Sequence, residues 1–595
     1  MDRKSIIILA AAVGLYFLLT PVVDHFYPPK SMPVALPSTT HLEPEANNVR
    51  PAAPPSAAPE PGAAPGAEPS ATEQILTVSN ADLIWRFTSR GGGIKDVDLP
   101  EYPSVIRPAG QPALETNKLA GLNHNALLPV LAVMGRELEG DGDFALSRHG
   151  DTIRAEKTLR NGLRVVKEFD IGSNNLIEVT TNYLFKARLW LTNTSSQPLA
   201  VTNYTVVVGT ATAIGPLDDP TALGVFWYNG AKAQNIQDKW FANPTFGCFP
   251  GTPRWQFQDG ASNVVWTAIH NQFFALAAMP ANPAQEVIID KIRVPAPDLS
   301  GPTNAMSALL TNGYQTALVY TNAVLQPHQS VRQEFLFYAG PKDYNLLALI
   351  GEAMGNNRLN LIMDFGVFGV VSKLLLLSMN WLHATGLPYG LTIIVITVII
   401  KGAFWPLTNA STKSQKRMQA LQPQLKAITD KYKDDPAKRN EKTMEFYKQH
   451  KVSPLGSCLP TLLQLPVFMG FYWMLRGAIE LRGAHFLWAF DLSQPDTVGK
   501  IAGFPINPWP LIMGATQLWQ SHMMPPSPGM DPGQQKLMRW VPLLMIGFFY
   551  RMSAGLTIYW TVSNLLSILQ LRLTKMTGAT TPEPVAAPLP MKKKR

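Results

Sequence analysis

Apolar positions change their spacing several times along this chain, and each change marks a different kind of element. Arg3 and Lys4 precede an apolar run from Ile6 to Leu19. With Val22 and Val23 it makes about 18 residues, near the lower limit for a bilayer helix. Thr20-Pro21-Val22-Val23-Asp24 offers no small-residue cleavage site, and Ala10 and Ala12 lie too early for one. Residues 1–27 therefore predict an uncleaved signal anchor with its N-terminus inside. Periodicity then vanishes over 28–73, where 12 Pro and 10 Ala fall within the 45 residues 28 to 72; such a composition predicts an extended, disordered linker. From 74 to 340 the runs are short, alternating or β-branched: Leu176 to Leu184, Ala187 to Leu191, Val201 to Val208, Val264 to Ile269, Arg332 to Tyr338. Turn residues separate them, which predicts one large antiparallel β-sandwich.

Past Asn357 the apolar runs lengthen to 365–383, 388–407, 458–479, 507–524, 538–552 and 555–571. If all six crossed a membrane along with the anchor, the segment 409–453, with 11 Lys/Arg against 5 Asp/Glu, would lie outside. The positive-inside rule opposes that. The first run is the one to lay flat, because Gly366, Gly369, Lys373, Asn380 and His383 share a helical face opposite Phe365, Phe368, Leu375, Met379 and Leu382. Residues 357–384 thus predict an interfacial amphipathic helix on the outer surface. Five spans remain after the anchor, at 388–408, 456–480, 507–524, 538–553 and 555–573. An external loop at 481–506, a cytoplasmic loop at 525–537 and a basic cytoplasmic tail at 574–595 complete the plan, with both termini inside. Within 409–453, Met418, Leu421, Leu425, Ile428 and Tyr432 form one helix stripe, and Met444 and Tyr447 lie on a second helix beyond Asp434-Asp435-Pro436. That pattern predicts a basic cytoplasmic helical hairpin.

Composition sharpens this plan. Charged residues are 16% of the chain, where about 25% is usual for a soluble protein. The net charge of +9 is divided: residues 28–356 hold 23 Lys/Arg and 29 Asp/Glu, residues 357–595 hold 26 and 11. An acidic exported part and a basic, apolar part face different surroundings, so the basic balance speaks for a membrane surface and against recognition of a specific nucleic-acid sequence. Two Cys, Cys248 and Cys458, fall in separate compartments and are not expected to pair. No Cys/His cluster has zinc spacing, so no metal or cofactor is expected.

Phosphate-loop, zinc-protease and nucleophile-elbow motifs are absent, which argues against ATP-driven transport and hydrolysis. His270 and Glu286 are read as ordinary sandwich residues and not as an acid–base pair. The informative residue is Lys401, about one turn deeper than Trp405, the natural interface marker. Alone it is either a snorkelling lysine or a cation in a polar cavity. Polar groups elsewhere in the spans favour the cavity: Thr397, Gln464, Gln517, Gln520, Ser563 and Asn564.

The order of segments, with the motifs Lys401-Gly402-Ala403-Phe404-Trp405-Pro406-Leu407-Thr408, Ser453-Pro454-Leu455-Gly456-Ser457-Cys458-Leu459-Pro460, Leu463-Gln464-Leu465-Pro466-Val467-Phe468 and Gly555-Leu556-Thr557-Ile558-Tyr559-Trp560-Thr561-Val562-Ser563-Asn564, resembles the YidC-type bacterial membrane protein insertases. The likeness spans nearly the whole chain in organisation and is specific over 388–575. It implies a multi-domain inner-membrane protein: an all-α polytopic core, the five-span insertase bundle plus signal anchor, carrying a large periplasmic antiparallel β-super-sandwich of the Gram-negative form. It further implies a hydrophilic groove open to cytoplasm and lipid, not an active site. The family's groove arginine is matched here by Lys401, a compact ammonium in place of a delocalised guanidinium. Thr397 matches a groove-lining Thr. Tyr559 and Trp560 match a Tyr pair that touches substrate, the second being Trp here.

On this reading the substrate's apolar helix slides past Phe468, Phe471, Tyr559 and Trp560. The hairpin residues Lys413, Lys416, Arg417, Lys426, Lys438 and Arg439 face ribosomes and signal-recognition targeting factors. The partners are nascent membrane proteins, the lipid bilayer, and the Sec translocon with its accessory subunits. The main rival is an ion-coupled solute transporter with an exported sensing domain, which would call for internal repeats and an intramembrane carboxylate. No Asp or Glu interrupts the apolar stretches of the five spans. A membrane-anchored carbohydrate-binding or mutarotase-like protein, with its function in 74–338, is the third reading.

Overall fold

The computed structural model describes residues 72–106, 119–138, 142–172, 179, 181–215, 218–244, 251–295, 310–321, 323–433, 435–450, 459–502, 504–523 and 532–577. The expected anchor, nearly all of the linker, both Cys, Asp434, most of the 525–537 loop and the end of the basic tail lie outside the described residues. The chain divides into a β unit, described over 72–105 and 119–363, and a helical unit, described at Ile106 and from Asp364 onward.

In the β unit a nine-stranded antiparallel sheet runs, in spatial order, Ala233–Gln237, Gly224–Tyr228, Trp266–His270, Phe274–Pro280, Ser330–Pro341, Leu184–Asn193, Leu163–Asp170, Thr152–Thr158 and Ala145–His149. A five-stranded sheet (Gln256–Asp259, Glu286–Pro295, Leu310–Tyr320, Tyr204–Ala211, Val133–Met134) and a four-stranded sheet (Ile75–Ser79, Ile84–Thr88, Gly93–Pro103, Leu119–Leu122) pack against one face of it. A row of rings shows that both share that face. Trp85 of the four-stranded sheet meets Phe185 at 6.2 Å, Phe185 stacks on its cross-strand partner Phe337 at 5.0 Å, and Phe335 reaches Tyr320 of the five-stranded sheet at 6.3 Å. Residues two apart on a strand point the same way, so Phe335 and Phe337 look into one interface.

Every residue of Phe274–Pro280 is buried, so this central strand is covered on both faces. The other cover is the turn Leu359–Met363 and the segment before it: Trp266 Nε1 donates to Asn357 O at 2.8 Å, while its neighbour Thr267 faces Thr316 of the opposite sheet at 3.5 Å. Each fully buried ring of this core contributes about 1.5–3 kcal/mol of transfer free energy.

Two expectations change here, and one reading, His270 and Glu286 as separate sandwich residues, agrees with the structure. The run Leu176 to Leu184 is not a strand through its described part; the strand begins at Leu184. His270 and Glu286 lie on different sheets, His270 Nε2 facing Asn235 Oδ1 at 2.9 Å and Glu286 accepting from Gln258. Residues 357–384 are not one helix: Leu359–Met363 belongs to the β unit, and a helix begins only at Gly369. Between them Gly366 adopts φ +64°, where a Cβ would lie 2.6 Å from the Trp473 ring.

The helices are α1 (Asp238–Ala242), α2 (Tyr344–Ala353), α3 (Gly369–Ala384), α4 (Tyr389–Ala420), α5 (Gln422–Lys431), α6 (Pro436–Gln449), α7 (Leu459–Gly477), α8 (Pro508–Met523), α9 (Pro532–Phe549) and α10 (Ala554–Thr577). α3 packs on α7, where Gly470 leaves no room for a side chain: a Cβ there would meet Val371 at 2.7 Å. Its exposed positions are only in part the polar ones anticipated: His383 is exposed, but Lys373 is half-buried. Val367, just ahead of the helix, and Leu374 and Trp381 within it recur at heptad spacing on the outside, whereas Asn380 turns inward and donates to Glu480 Oε1 at 2.8 Å. Among the described residues one helical stretch, Tyr389–Ser411 of α4, is long and apolar enough to cross a membrane.

α4 does not stop where its apolar stretch ends but runs on to Ala420, 32 residues in all, with Pro406 inside it. Met418 therefore belongs to α4 and not to a separate hairpin helix, and the expected single stripe is broken at Leu421. Met418, Leu421, Leu425, Phe446 and Tyr447 still form one buried cluster joining α4, α5 and α6. Met444, expected inside, is half exposed, and Phe446 takes its place. Asp435 caps α6 through Lys438 N at 3.0 Å, with Pro436 at the first helical position, where no amide donor is needed.

Candidate functional site

Three helices meet around Lys401. On α4, Thr397, Lys401 and Thr408 recur at intervals of four and seven and share a face. On α10, Ser563, Ser567 and Gln570 recur at intervals of four and three and do the same. α7 supplies Gln464. Lys401 Nζ donates to Gln464 Oε1 at 3.1 Å and to Ser567 Oγ at 3.0 Å. Gln464 Nε2 donates to Ser563 Oγ at 2.8 Å, which fixes its amide with the oxygen toward the lysine; Ser567 Oγ donates to Ser563 O at 2.8 Å. The hydrogen bonds thus close a ring through residue 563.

Among the described residues no carboxylate pairs with Lys401, so neutral oxygens solvate its charge without cancelling it. The ammonium borders a small open cleft lined by Thr397, Ile400, Lys401, Phe404, Thr408, Gln464, Val467 and Tyr559. Thr397 is buried and donates to Ile393 O at 2.6 Å. Gln570 Nε2 reaches Thr408 Oγ1 at 2.6 Å and ties α10 to α4 beyond the lysine. A cleft with one uncompensated cation and mostly apolar walls can hold an anionic group on a largely apolar chain.

Three of the residues expected to line the groove lie elsewhere, and a fourth, Ser563, stands behind the cleft wall. The face of α10 bearing Thr557, Thr561 and Asn564 is buried, and Asn564 Nδ2 bonds Thr516 Oγ1 of α8 at 3.2 Å. Gln517 is taken by Trp560, whose indole N–H donates to its Oε1 at 3.0 Å, since a packed indole needs an acceptor. Gln520 Oε1 is buried without a partner among the described residues. The four slide residues also divide. Phe468 and Trp560 are half-buried and meet edge to face at 4.7 Å, beside Phe549. Phe471 has no exposed surface and stacks on Tyr559 at 4.2 Å, so in this state it is packing and not a sliding surface. Tyr559 is 2% exposed and reaches only the cleft wall.

Of the hairpin cations, Lys426 and Lys438 are exposed and Arg439 is half exposed. Lys438 folds back on Asp435 at 3.1 Å, a surface pair of little energetic weight. The side chains of Lys413, Lys416 and Arg417 lie outside the described residues.

Ser567, Thr408 and Gln570 were not anticipated, although the 563/567/570 spacing was readable as a polar stripe. Also unanticipated is the segment 478–507, which caps two helices of the bundle at one end. Asp496 Oδ2 accepts from Trp509 N at the start of α8 (2.7 Å) and from Trp488 Nε1 (2.9 Å), and the two indoles stack at 4.8 Å. The carbonyls of Leu492 and Gln494 accept from the first amides of α10. In the β unit Asp96, Asp98 and His124 converge, but Arg86 lies 2.5 Å from Asp96 and 2.8 Å from Asp98 and supplies the counter-charge, an ion-pair network and not a cation site.

A family model described as 60Kd inner membrane protein matches residues 381–580, and one described as YidC periplasmic domain matches residues 75–377. The chain is 28% identical over 593 residues to the membrane protein insertase YidC of Pseudoalteromonas atlantica, across 96% of this chain and 97% of that one. To the YidC of Citrifermentans bemidjiense it is 31% identical over 497 residues, 81% and 82% of the two chains. A crystal structure of an active YidC insertase is matched over 85% of this chain and 93% of that one, at 17% identity and a TM-score of 0.32.

Proposed function

The chain belongs to the YidC family of membrane protein insertases, and on that premise we propose that the cleft around Lys401 receives the polar exported segment of a nascent membrane protein while its apolar helix passes into lipid. The protein is a membrane-resident insertase and not an enzyme; it acts on nascent membrane proteins and the bilayer. A polar segment entering hydrocarbon loses several kcal/mol for each unsatisfied backbone group. A cleft that carries a cation and its polar supports shortens the dry part of the path, and burial of the substrate's apolar helix in lipid drives the reaction.

Lys401 attracts carboxylates of the exported segment, with Thr397, Gln464 and Ser563 as polar support and Phe468 and Trp560 as the apolar flank. The bundle is α4, α7, α8, α9 and α10 as five spans after an N-terminal signal anchor, with α3 at the outer interface and both termini cytoplasmic. The charge asymmetry supports this topology, because the basic segment 409–453 then stays inside. Exposed Lys426 and Lys438 support a docking role of the hairpin toward ribosomes and targeting factors, and the Sec translocon is a further partner on this reading.

The observation that carries the reading is a half-buried ammonium bordering a cleft and held only by neutral oxygens. A coupled transporter would set a carboxylate against it. The test is insertion of paired substrates, identical except for acidic or neutral exported tails, by equally expressed Lys401 variants. Lys401→Met should impair acidic tails more than neutral ones, Lys401→Glu should be worst, and Lys401→Arg should retain insertion. Equal performance of the Met and Arg variants on both tails would make Lys401 a snorkelling anchor and remove the electrostatic cleft.

A further inference from the structure

We propose that Gln464 and Ser567 are positioning residues that hold Lys401 with one N–H left for the cleft, so that the site accepts one carboxylate at a time and disfavours adjacent pairs. The inference rests on the reading of the cleft as the site for acidic exported segments and adds a selectivity to it. An ammonium has three donors and no acceptor. Two are committed, to Gln464 Oε1 and Ser567 Oγ. Neither acceptor is free to turn away: the Gln464 amide is fixed by its bond to Ser563 Oγ, and the Ser567 hydroxyl hydrogen is spent on Ser563 O, which leaves its lone pairs toward Nζ.

Ser563 and Ser567 are not part of the cleft wall, whose residues include no second cation. Gln464 does belong to the wall, so the clamp grips the lysine from behind through Ser567 and from one side of the cleft through Gln464, and the remaining donor is the one left for the cleft. A carboxylate that takes this donor is paired. A second one beside it finds the apolar Ile400, Phe404 and Val467. The hydroxyls of Thr397 and Thr408 already donate to carbonyls of α4, and the Tyr559 hydroxyl is engaged with Gln464, so the second charge stays unpaired at a cost. The family's guanidinium, with five donors in a planar fork, would not impose this limit, so the selectivity belongs to the lysine and its two oxygens.

The experiment uses the full-length protein in proteoliposomes and three model substrates that differ only in the exported tail: neutral, two adjacent Asp, and two Asp about eight residues apart. The last two carry the same charge, but in the spaced tail the carboxylates are roughly 27 Å apart when extended, beyond the reach of one ammonium and of unscreened repulsion. The wild-type protein should insert the spaced tail about tenfold to a hundredfold better than the adjacent one, the range set by one hydrogen bond to a charged group. Ser567→Ala frees a second N–H and should bring the adjacent tail up to the spaced one, a gain that general damage to the bundle cannot imitate. Ser567→Thr keeps the oxygen and should restore the wild-type order, and Gln464→Leu should relax it as Ser567→Ala does. Equal insertion of both acidic tails by the wild type, or an unchanged order in Ser567→Ala, overturns the clamp. Lys401→Met separates the two levels: if it still prefers acidic to neutral tails as the wild type does, the underlying cleft reading fails; if it loses that preference while Ser567→Ala behaves as wild type, only the clamp fails.

Discussion

Asp496 shows how one side chain can make a whole segment respond to pH. Burial pushes its carboxyl above the ordinary value of 3.8, with the Trp509 amide and Trp488 indole opposing the shift, and burial does the same to Asp491 against its bonds from Ser493. A carboxyl raised by folding favours the folded loop in its protonated form. That contribution is complete below the ordinary value and is lost as the pH climbs through the raised one. Segment 478–507 should therefore be tighter in mild acid than at neutrality. Asp496→Asn keeps an acceptor for both N–H groups and removes the charge, so it should flatten the pH dependence of hydrogen exchange at the Trp509 amide; superimposable wild-type and variant profiles would show that Asp496 does not govern it. Nothing in the sequence singled out Asp496, because a lone Asp in a loop carries no pattern. Lys401, Thr397 and Gln464 were legible because a polar residue in an apolar run is conspicuous. Gln517 was misread for the same reason: a polar residue in a span signals a partner, and spacing cannot tell that the partner is Trp560 and not the cleft.

Helices set the next level of control, through how closely they approach. With no side chain at Gly470, α3 lies against α7, and a Cβ there would be 2.7 Å from Val371. Gly470→Ile should cost about 1–3 kcal/mol by overpacking and lower the thermal midpoint of the detergent-solubilised protein. Disulfide crosslinking between Cys residues placed at 371 and 375 on α3, which face Gly470, and neighbouring positions on α7 should slow in parallel; an unchanged midpoint would mean that α3 can lift away freely. Hydrophobic periodicity found α3, α7, α8, α9 and α10, since each has to bury an apolar face. It failed at their ends. Helix α4 outlasts its apolar stretch because Ser, Lys, Gln and Arg after Thr408 are tolerable or good helix formers, so hydropathy changes there while the backbone does not. The exchange of Met444 for Phe446 in the hairpin core is a similar miss: both are apolar, and which one faces Leu425 depends on where α6 starts, a matter decided by Asp435 and Pro436. In the β unit the strands were legible as alternation, but the sharing of one face by two sheets was not. That arrangement is written in ring contacts between strands more than a hundred residues apart, such as Trp85 and Phe337 through Phe185.

For the molecule as a whole, the division into two units fixes where the exported part can be cut. A deletion of 80 to 330 would strand Ser330–Pro341, whose Phe335, Phe337 and Tyr338 are buried against other strands; an orphan strand of this kind promotes aggregation. Removal of 74 to 363 with the anchor kept takes out the β unit entire. Insertion should survive it, since every residue of the cleft lies beyond Asp364. Loss of insertion in a stable, correctly oriented deletion would move the function into the exported domain. Orientation is checked in intact spheroplasts, where a Cys at 426 should resist external labelling and one at 373 should accept it. The continuity of α4 bears on how the two ends of this machine communicate. Lys401 and Met418 are 17 positions apart on one helix, about 25 Å, and Met418 is bolted into the hairpin core by Leu425, Phe446 and Tyr447. The helix is a shaft with a single soft point at Pro406, which has no amide hydrogen to give to the carbonyl four residues back. A load on the hairpin is thus delivered as flexion at Pro406, one turn from an ammonium gripped by two other helices, and the torque has to be taken up by the hydrogen bonds to Gln464 and Ser567.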